Sequence, residues 1–456
     1  MGHSREILLR DINAGRQGGS CIAEQVVGTY NQTVSRAPSL TARVRDLVVR
    51  LYQESHDFNG VLYDEVVARL AAPEAAVVRA VRALIRRGAI AAIFGDIHPN
   101  AYIRALRDEP IEAQLTKLSG GSHPCLYPTE ATLSTIIPPD LYADKPFTRR
   151  LALGEPQLAY DAFDLAILEP YRNDPRYVFE AGDAGGMISI SDAYYQSTDM
   201  PERDQVLLQS FGFCYGPKRR RAVGVFLRYL SDLSPEHQRI WQARMLTGDY
   251  KMHPDYWDSA MGYFPEGASI FEAVLAELTF INRMAAAMGR DRLFKSDFAD
   301  ARPVDFSFLL RPTRRDFDVF VQTLDKMLSD NIDKGFFLKE VTDEIRESRK
   351  NGDAVVKPKG TITMLEEWVS LHFRSKDPSV PALFKTLKEV RTLRSKPSHS
   401  LRPNAHDESL FETQRELMIR VYQAVQTLRL ILAYWPETKG CEVPRMLRGH
   451  TKIRTM

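Results

Sequence analysis

The sequence predicts an α+β, multi-domain and predominantly helical chain built from a small helical module with a hairpin, a mixed α+β middle region and a C-terminal helical bundle. Three observations carry this. Apolar residues recur at helical spacing from Ser39 to Gly88 and give way to a short β-like run. Between 108 and 310, proline, glycine and short aromatic runs keep breaking the period. From Thr313 onward the helical period returns and holds almost to the end. The expected divisions are an N-terminal segment 1–38, a first module 39–107, a middle domain 108–310 and a helical domain 311–456.

The chain has 456 residues, 44% hydrophobic and 26% charged, which excludes a disordered, fibrous or membrane-spanning composition. With 61 Lys+Arg against 59 Asp+Glu the net charge is +2, so any argument for nucleic acid must be local. Cys21, Cys125, Cys214 and Cys441 lie far apart and form no CxxC or CxxH pair, so neither a disulfide framework nor a structural zinc site is expected. No metal ligand set or cofactor motif emerges. Gly15–Ser20 lacks the lysine of a phosphate loop. The N-terminus lacks the apolar core of a signal peptide, which gives a cytoplasmic expectation and no membrane partner.

In the first module, Leu40, Val44, Leu47, Val48 and Leu51 mark one helix and Tyr63–Leu70 a second. A third begins with Pro73 at its first position and Glu74 in its first turn, buries Val77, Val78, Val81, Leu84 and Ile85, and stops at Gly88. Ala89–Phe94, a Gly95-Asp96 turn and Ala101–Leu106 as the return strand complete a hairpin. Three helices followed by a hairpin is the winged-helix order. Arg79, Arg82 and Arg86 share the face opposite the valines, which either meets phosphate, DNA being the candidate, or is simply solvated.

The middle region offers Tyr177–Phe179 and Met187–Ile190 as strands, Gly182–Gly186 as their turn, and helices at Glu236–Leu246 and Ile270–Met288. Lys218, Arg219, Arg220 and Arg221 form the densest charge run, a solvated loop or a backbone contact to nucleic acid. Glu155, Asp161, Asp164, Glu169, Asp174, Asp183 and Asp192 could hold Mg²⁺, but a supporting Lys or His at fixed offset is missing. His123-Pro-Cys125 and His253-Pro-Asp255 each stop short of three ligands.

In the helical domain, Pro381–Arg394 carries the inner stripe Leu383, Leu387 and Val390, which Arg394 continues. Pro397 ends the helix ahead of His399, and a long helix follows from about Ser409 to Ala433. Between Asp377 and Arg402 six basic residues face two acidic ones, a balance suited to a phosphodiester backbone. Arg394 and His399, with four residues between them and lying between two long helices, resemble the motif of the HEPN superfamily, whose ribonuclease members carry Arg, four to six residues, then His. The resemblance covers the last 80–140 residues or so and implies a metal-independent endoribonuclease, with no cofactor, acting on RNA as a homodimer whose motifs meet at the seam. Arg394 and His399 would be catalytic, with Arg391, Ser395 and Lys396 in support; Ser395 stands where the family usually has Asn, Asp or His. With the winged-helix module the chain also resembles prokaryotic toxin and phage-defence effectors. The competing reading is a non-enzymatic nucleic-acid-binding regulator, or a dimerising scaffold, with an inactive helical domain. The stripe Leu417, Val421, Val425, Leu428 and Leu432 is expected to supply the dimer contact.

Overall fold

The computed structural model describes residues 38–455, except for 56, 96–97, 105, 198–199, 264–266, 299–301, 338, 349–353, 396–402 and 450. Gly15–Ser20 therefore lies outside the described residues. The fold is a helix-rich mixture of α and β structure in two compact units, one ending at Tyr263 and one beginning at Phe264. No helix among the described residues is long and apolar enough to cross a membrane.

The first unit begins with α1 (Leu40–Glu54), whose cap Ser39 accepts from the Ala42 N–H. There follow β1 (Val61–Leu62), α2 (Tyr63–Leu70), α3 (Glu74–Arg86) and β2 (Ile90–Ile93). Pro73 precedes α3 as its cap instead of opening its first turn. Gly88, at φ 65°, stops the helix as expected, with the Ala89 N–H returning to the Leu84 carbonyl. The return strand lies elsewhere than expected. It is β3 (Cys125–Pro128), paired with both β1 and β2 after an intervening helix α4 (Ile111–Ser119). Ala101–Arg104 forms no strand because its apolar residue goes to another core: Ile103 packs with Leu158, Ala162 and Phe226, while Arg104 pairs with Asp108. The expected break at 107 consequently falls inside this sheet's connection, and the helical module shares one unit with much of the middle region.

That middle region is organised by an antiparallel sheet of β4 (Tyr160–Phe163), β5 (Tyr177–Ala181), β6 (Gly185–Ile190), β7 (Leu207–Tyr215) and β8 (Arg221–Phe226), in the order β4-β8-β7-β6-β5, with β9 (Lys251–Met252) added to β7. The expected β5–β6 hairpin is present. Its glycines are not in the left-handed region. They allow close approach: Gly185 pairs with Gly212 and Gly212 with Gly224, a row of three glycines across the strands. Tyr256 lies over this row, stacked on Phe226 at 5.6 Å, and a Cβ on Gly212 would come within 2.6 Å of its Cε1. Gly212→Ala is therefore expected to destabilise the first unit by about 1–3 kcal/mol in urea denaturation, because neither the ring nor the ladder can retreat.

The second unit is a bundle of α5 (Ile270–Ala287), α6 (Arg314–Leu328), α7 (Thr361–His372), α8 (Ser379–Ser395) and α9 (Ser409–Leu432). Ser269 and Glu272 form a capping box that fixes the start of α5. Placed in the middle domain by sequence, α5 packs instead along α9, and the buried Glu277 of α5 accepts from the Arg429 Nε at 2.6 Å. The boundary expected at 310 thus falls within this unit. The stripe offered for dimerisation is covered by the chain itself: Leu417, Val421, Val425, Leu428 and Leu432 are all buried within the one core that includes α5 and α8. The unit is also less helical than expected, for Glu344–Ser348 pairs with Ala354–Pro358 in an antiparallel hairpin.

Candidate functional site

The C-terminal turn of α8 is held by its inner stripe, with Leu383, Phe384, Leu387 and Val390 buried against the bundle. Arg391 and Arg394, one helical turn apart, leave this stripe at the surface and converge on the end of α6. There Asp325 is fully buried, and its Oδ2 accepts from the Nη1 of Arg391 at 2.9 Å and of Arg394 at 2.6 Å. Asp330, two residues beyond the helix, takes both arginines from the solvent side, Oδ1 from Arg391 at 2.6 Å and Oδ2 from Arg394 at 2.7 Å. Burial pushes the Asp330 carboxyl up, but the hydrogen bonds and charge of the two guanidiniums outweigh it and hold the group below the usual carboxylate range. The Arg394 guanidinium is held more firmly protonated, first by its bond to Asp325, and Arg391 likewise by its bond to Asp330.

Of the six basic residues counted along the sequence, Lys388, Arg391 and Arg394 meet carboxylates among the described residues. Lys388 pairs with Glu366 at 2.6 Å, and the two arginines face two carboxylates. Ser395 donates to the carbonyl of Thr392 in its own helix. His399 and Lys396 lie outside the described residues, so the structure gives no placement for the second half of the motif.

Sequence reading missed Asp325 and Asp330. A signal for the first existed: Asp325 follows Val321 by four residues on the buried face of α6, and a carboxylate at a core position requires a cation beside it. Asp330 had none, because only the fold brings the end of α6 beside the end of α8.

No protein-family model, curated protein or solved structure matches this chain.

The other candidate residues divide between exposed and engaged. On α3, Arg79 and Arg86 are exposed, while Arg82 donates to the Ser119 hydroxyl on α4. The basic run of the first unit also splits. Arg219 is exposed, Arg220 lies 3.6 Å from Asp164, and Arg221 packs over the rings of Phe213 and Tyr215 as the first residue of β8. The Lys218 side chain is outside the described residues. The carboxylates weighed for Mg²⁺ are dispersed, since Glu155 and Asp161 share Arg150, Asp164 caps the Ala166 N–H, and Asp174 pairs with Arg176. Among the described residues no group of three or more His, Cys, Asp or Glu side chains could hold a metal ion. Cys125 and Cys214 are buried thiols, each pushed up to about 12 by that burial, which leaves them unreactive as nucleophiles.

Proposed function

We propose that the second unit is a metal-independent endoribonuclease of HEPN type. The observation that supports this best is the pairing of Arg391 and Arg394 on the last turn of α8, oriented by the buried Asp325, directly ahead of the segment that carries His399 and between two long helices. In this reading His399 takes the proton of a ribose 2′-OH, and the 2′-oxygen attacks the adjacent phosphorus. The P–O5′ bond breaks, the leaving oxygen takes up a proton, and Arg394 stabilises the charge that grows on the phosphate. The products are a 2′,3′-cyclic phosphate and a 5′-hydroxyl. Asp325 is a positioning residue here: it limits the rotamers of Arg394 without touching substrate. Incubating the purified chain with RNA tests the proposal, with cleavage expected from the wild type and lost in Arg394→Ala.

The N-terminal module, residues 39–107 by sequence, we read as a DNA-contacting winged helix. The three helices α1, α2 and α3 ahead of β2, and the three-stranded sheet that β3 completes after α4, support it. Because Arg82 is engaged with Ser119, Arg79 and Arg86 are the phosphate contacts expected from α3. Replacing both with Ala should flatten the slope of log K against log salt by about two units on duplex DNA, since each phosphate contributes about 0.9. Arg82→Ala should change it little. A slope that stays the same in the double variant would assign these arginines to the solvated surface. A cytoplasmic homodimer in a toxin or anti-phage setting is the remaining part of the proposal, and the HEPN resemblance alone supports it.

The second reading is a nucleic-acid-binding regulator with an inactive helical domain. One observation favours it: Asp325 and Asp330 together neutralise the two arginines that catalysis would use.

A further inference from the structure

Arg391 and Arg394 each meet their carboxylates through a single nitrogen, Nη1. A guanidinium has five N–H donors arranged in a fork that suits two oxygens of a carboxylate or phosphate. The Nε and Nη2 donors of both arginines have no hydrogen-bond partner among the described residues, and the side chains are 50% and 29% exposed. The two aspartates differ in their freedom. Asp325 is sealed in α6, whereas the Asp330 side chain is 42% exposed beyond the helix end. The backbone of Asp330 is fixed: its carbonyl accepts from Lys295 Nζ at 2.9 Å, and the next residue, Asn331, accepts from the Lys295 N–H at 2.8 Å. A side-chain rotation can therefore withdraw the Asp330 carboxylate while the backbone stays in place, and it would leave two cations, Arg391 and Arg394, facing the space it occupied.

We propose that Arg391 and Arg394 bind a phosphodiester by exchange, with Asp330 occupying the oxyanion position in the resting protein and swinging out when the phosphate enters. One negative charge replaces another, so the charge of the site is conserved while the phosphate gains the unused donors. Asp325 stays in place and keeps both guanidiniums aligned. Asp330 thereby sets a threshold: ligands that present a phosphodiester displace it, and weaker anions do not. The identity of the ligand as RNA rests on the ribonuclease reading; the exchange itself does not.

The test measures binding separately from cleavage. A short single-stranded RNA carrying 2′-O-methyl groups cannot be cleaved through the 2′-oxygen, and its affinity for the full chain can be followed by fluorescence anisotropy at fixed salt. Asp330→Asn keeps the shape and removes the competing charge, so the dissociation constant should fall roughly 3–10-fold. Asp330→Ser provides a second variant with the same expected direction. Adding Arg391→Ala to Asp330→Asn should abolish the gain. Unchanged or weaker binding in both single variants overturns the proposal, as does a gain that survives Arg391→Ala. Tighter binding without RNA cleavage by any form would leave the exchange standing and remove the ribonuclease. Cleavage by the wild type with no tightening in the Asp330 variants would do the reverse.

Discussion

Arg394→Ala should lower RNA cleavage by about 10²–10⁴-fold, and His399→Ala by a similar factor, while the fold is retained. The expectation of retained structure has a specific basis. Asp325 is fully buried and would be destabilising if left alone, but Arg391 also binds its Oδ2, so loss of Arg394 still leaves the carboxylate paired. The melting transition should therefore move little while activity collapses, a separation that a structural arginine would not give. Arg394→Lys retains charge but not the planar fork, and it should recover only part of the rate. Activity unchanged in a folded Arg394→Ala or His399→Ala protein would remove the HEPN assignment.

Arg429→Ala should destabilise the second unit by about 3–5 kcal/mol, the loss expected when one partner of a buried ion pair is removed. Glu277 is fully buried on α5, its Oε2 is bound by Arg429, and its Oε1 has no hydrogen-bond partner among the described residues. Burial already pushes the Glu277 carboxyl up, and Arg429 opposes that shift. Without the arginine the carboxyl would rise further and take a proton more readily. The sign of the pH dependence follows. A carboxyl whose folded pKa exceeds its unfolded value contributes stability at pH below the unfolded value of 4.5 and loses it as pH rises through the folded value. The deficit of Arg429→Ala, measured by urea denaturation, should consequently be largest near neutrality and shrink on acidification. A double replacement by Glu277→Leu and Arg429→Met should return the unit close to wild-type stability. A wild-type-like Arg429→Ala would show that the α5–α9 pairing does not hold the bundle together.

The helices were legible where a single core decided them. Tyr63–Leu70 and the long α9 match their expected spans almost residue for residue, because each carries an apolar stripe at helical spacing that is buried in a single core. The return strand of the first sheet was not. Ile103 is apolar and lies at the expected distance, but its burial partners come from the larger sheet, and local pattern says nothing about which core a residue joins. Asn351-Gly352-Asp353 is a hairpin signal that could have revealed the strands Glu344–Ser348 and Ala354–Pro358; the surrounding helical period obscured it. Likewise the stripe on α9 was sound as a buried face, yet it is covered by α8 and by α5, which lies far earlier in the chain. At the candidate site, spacing located Arg391 and Arg394 at a helix end. It could not supply Asp325 and Asp330, whose contact with them is made by packing between α6 and α8.

In the proposed mechanism Arg394 and His399 cleave RNA through the ribose 2′-oxygen without a metal. Incubating the full chain with RNA in excess EDTA and analysing the ends of the fragments tests this step. Fragments carrying 2′,3′-cyclic phosphate and 5′-hydroxyl ends are expected, absent with Arg394→Ala and with a substrate methylated at every 2′-oxygen. Intact RNA, cleavage that requires an added divalent cation, or fragments with 5′-phosphate and 3′-hydroxyl ends would contradict it.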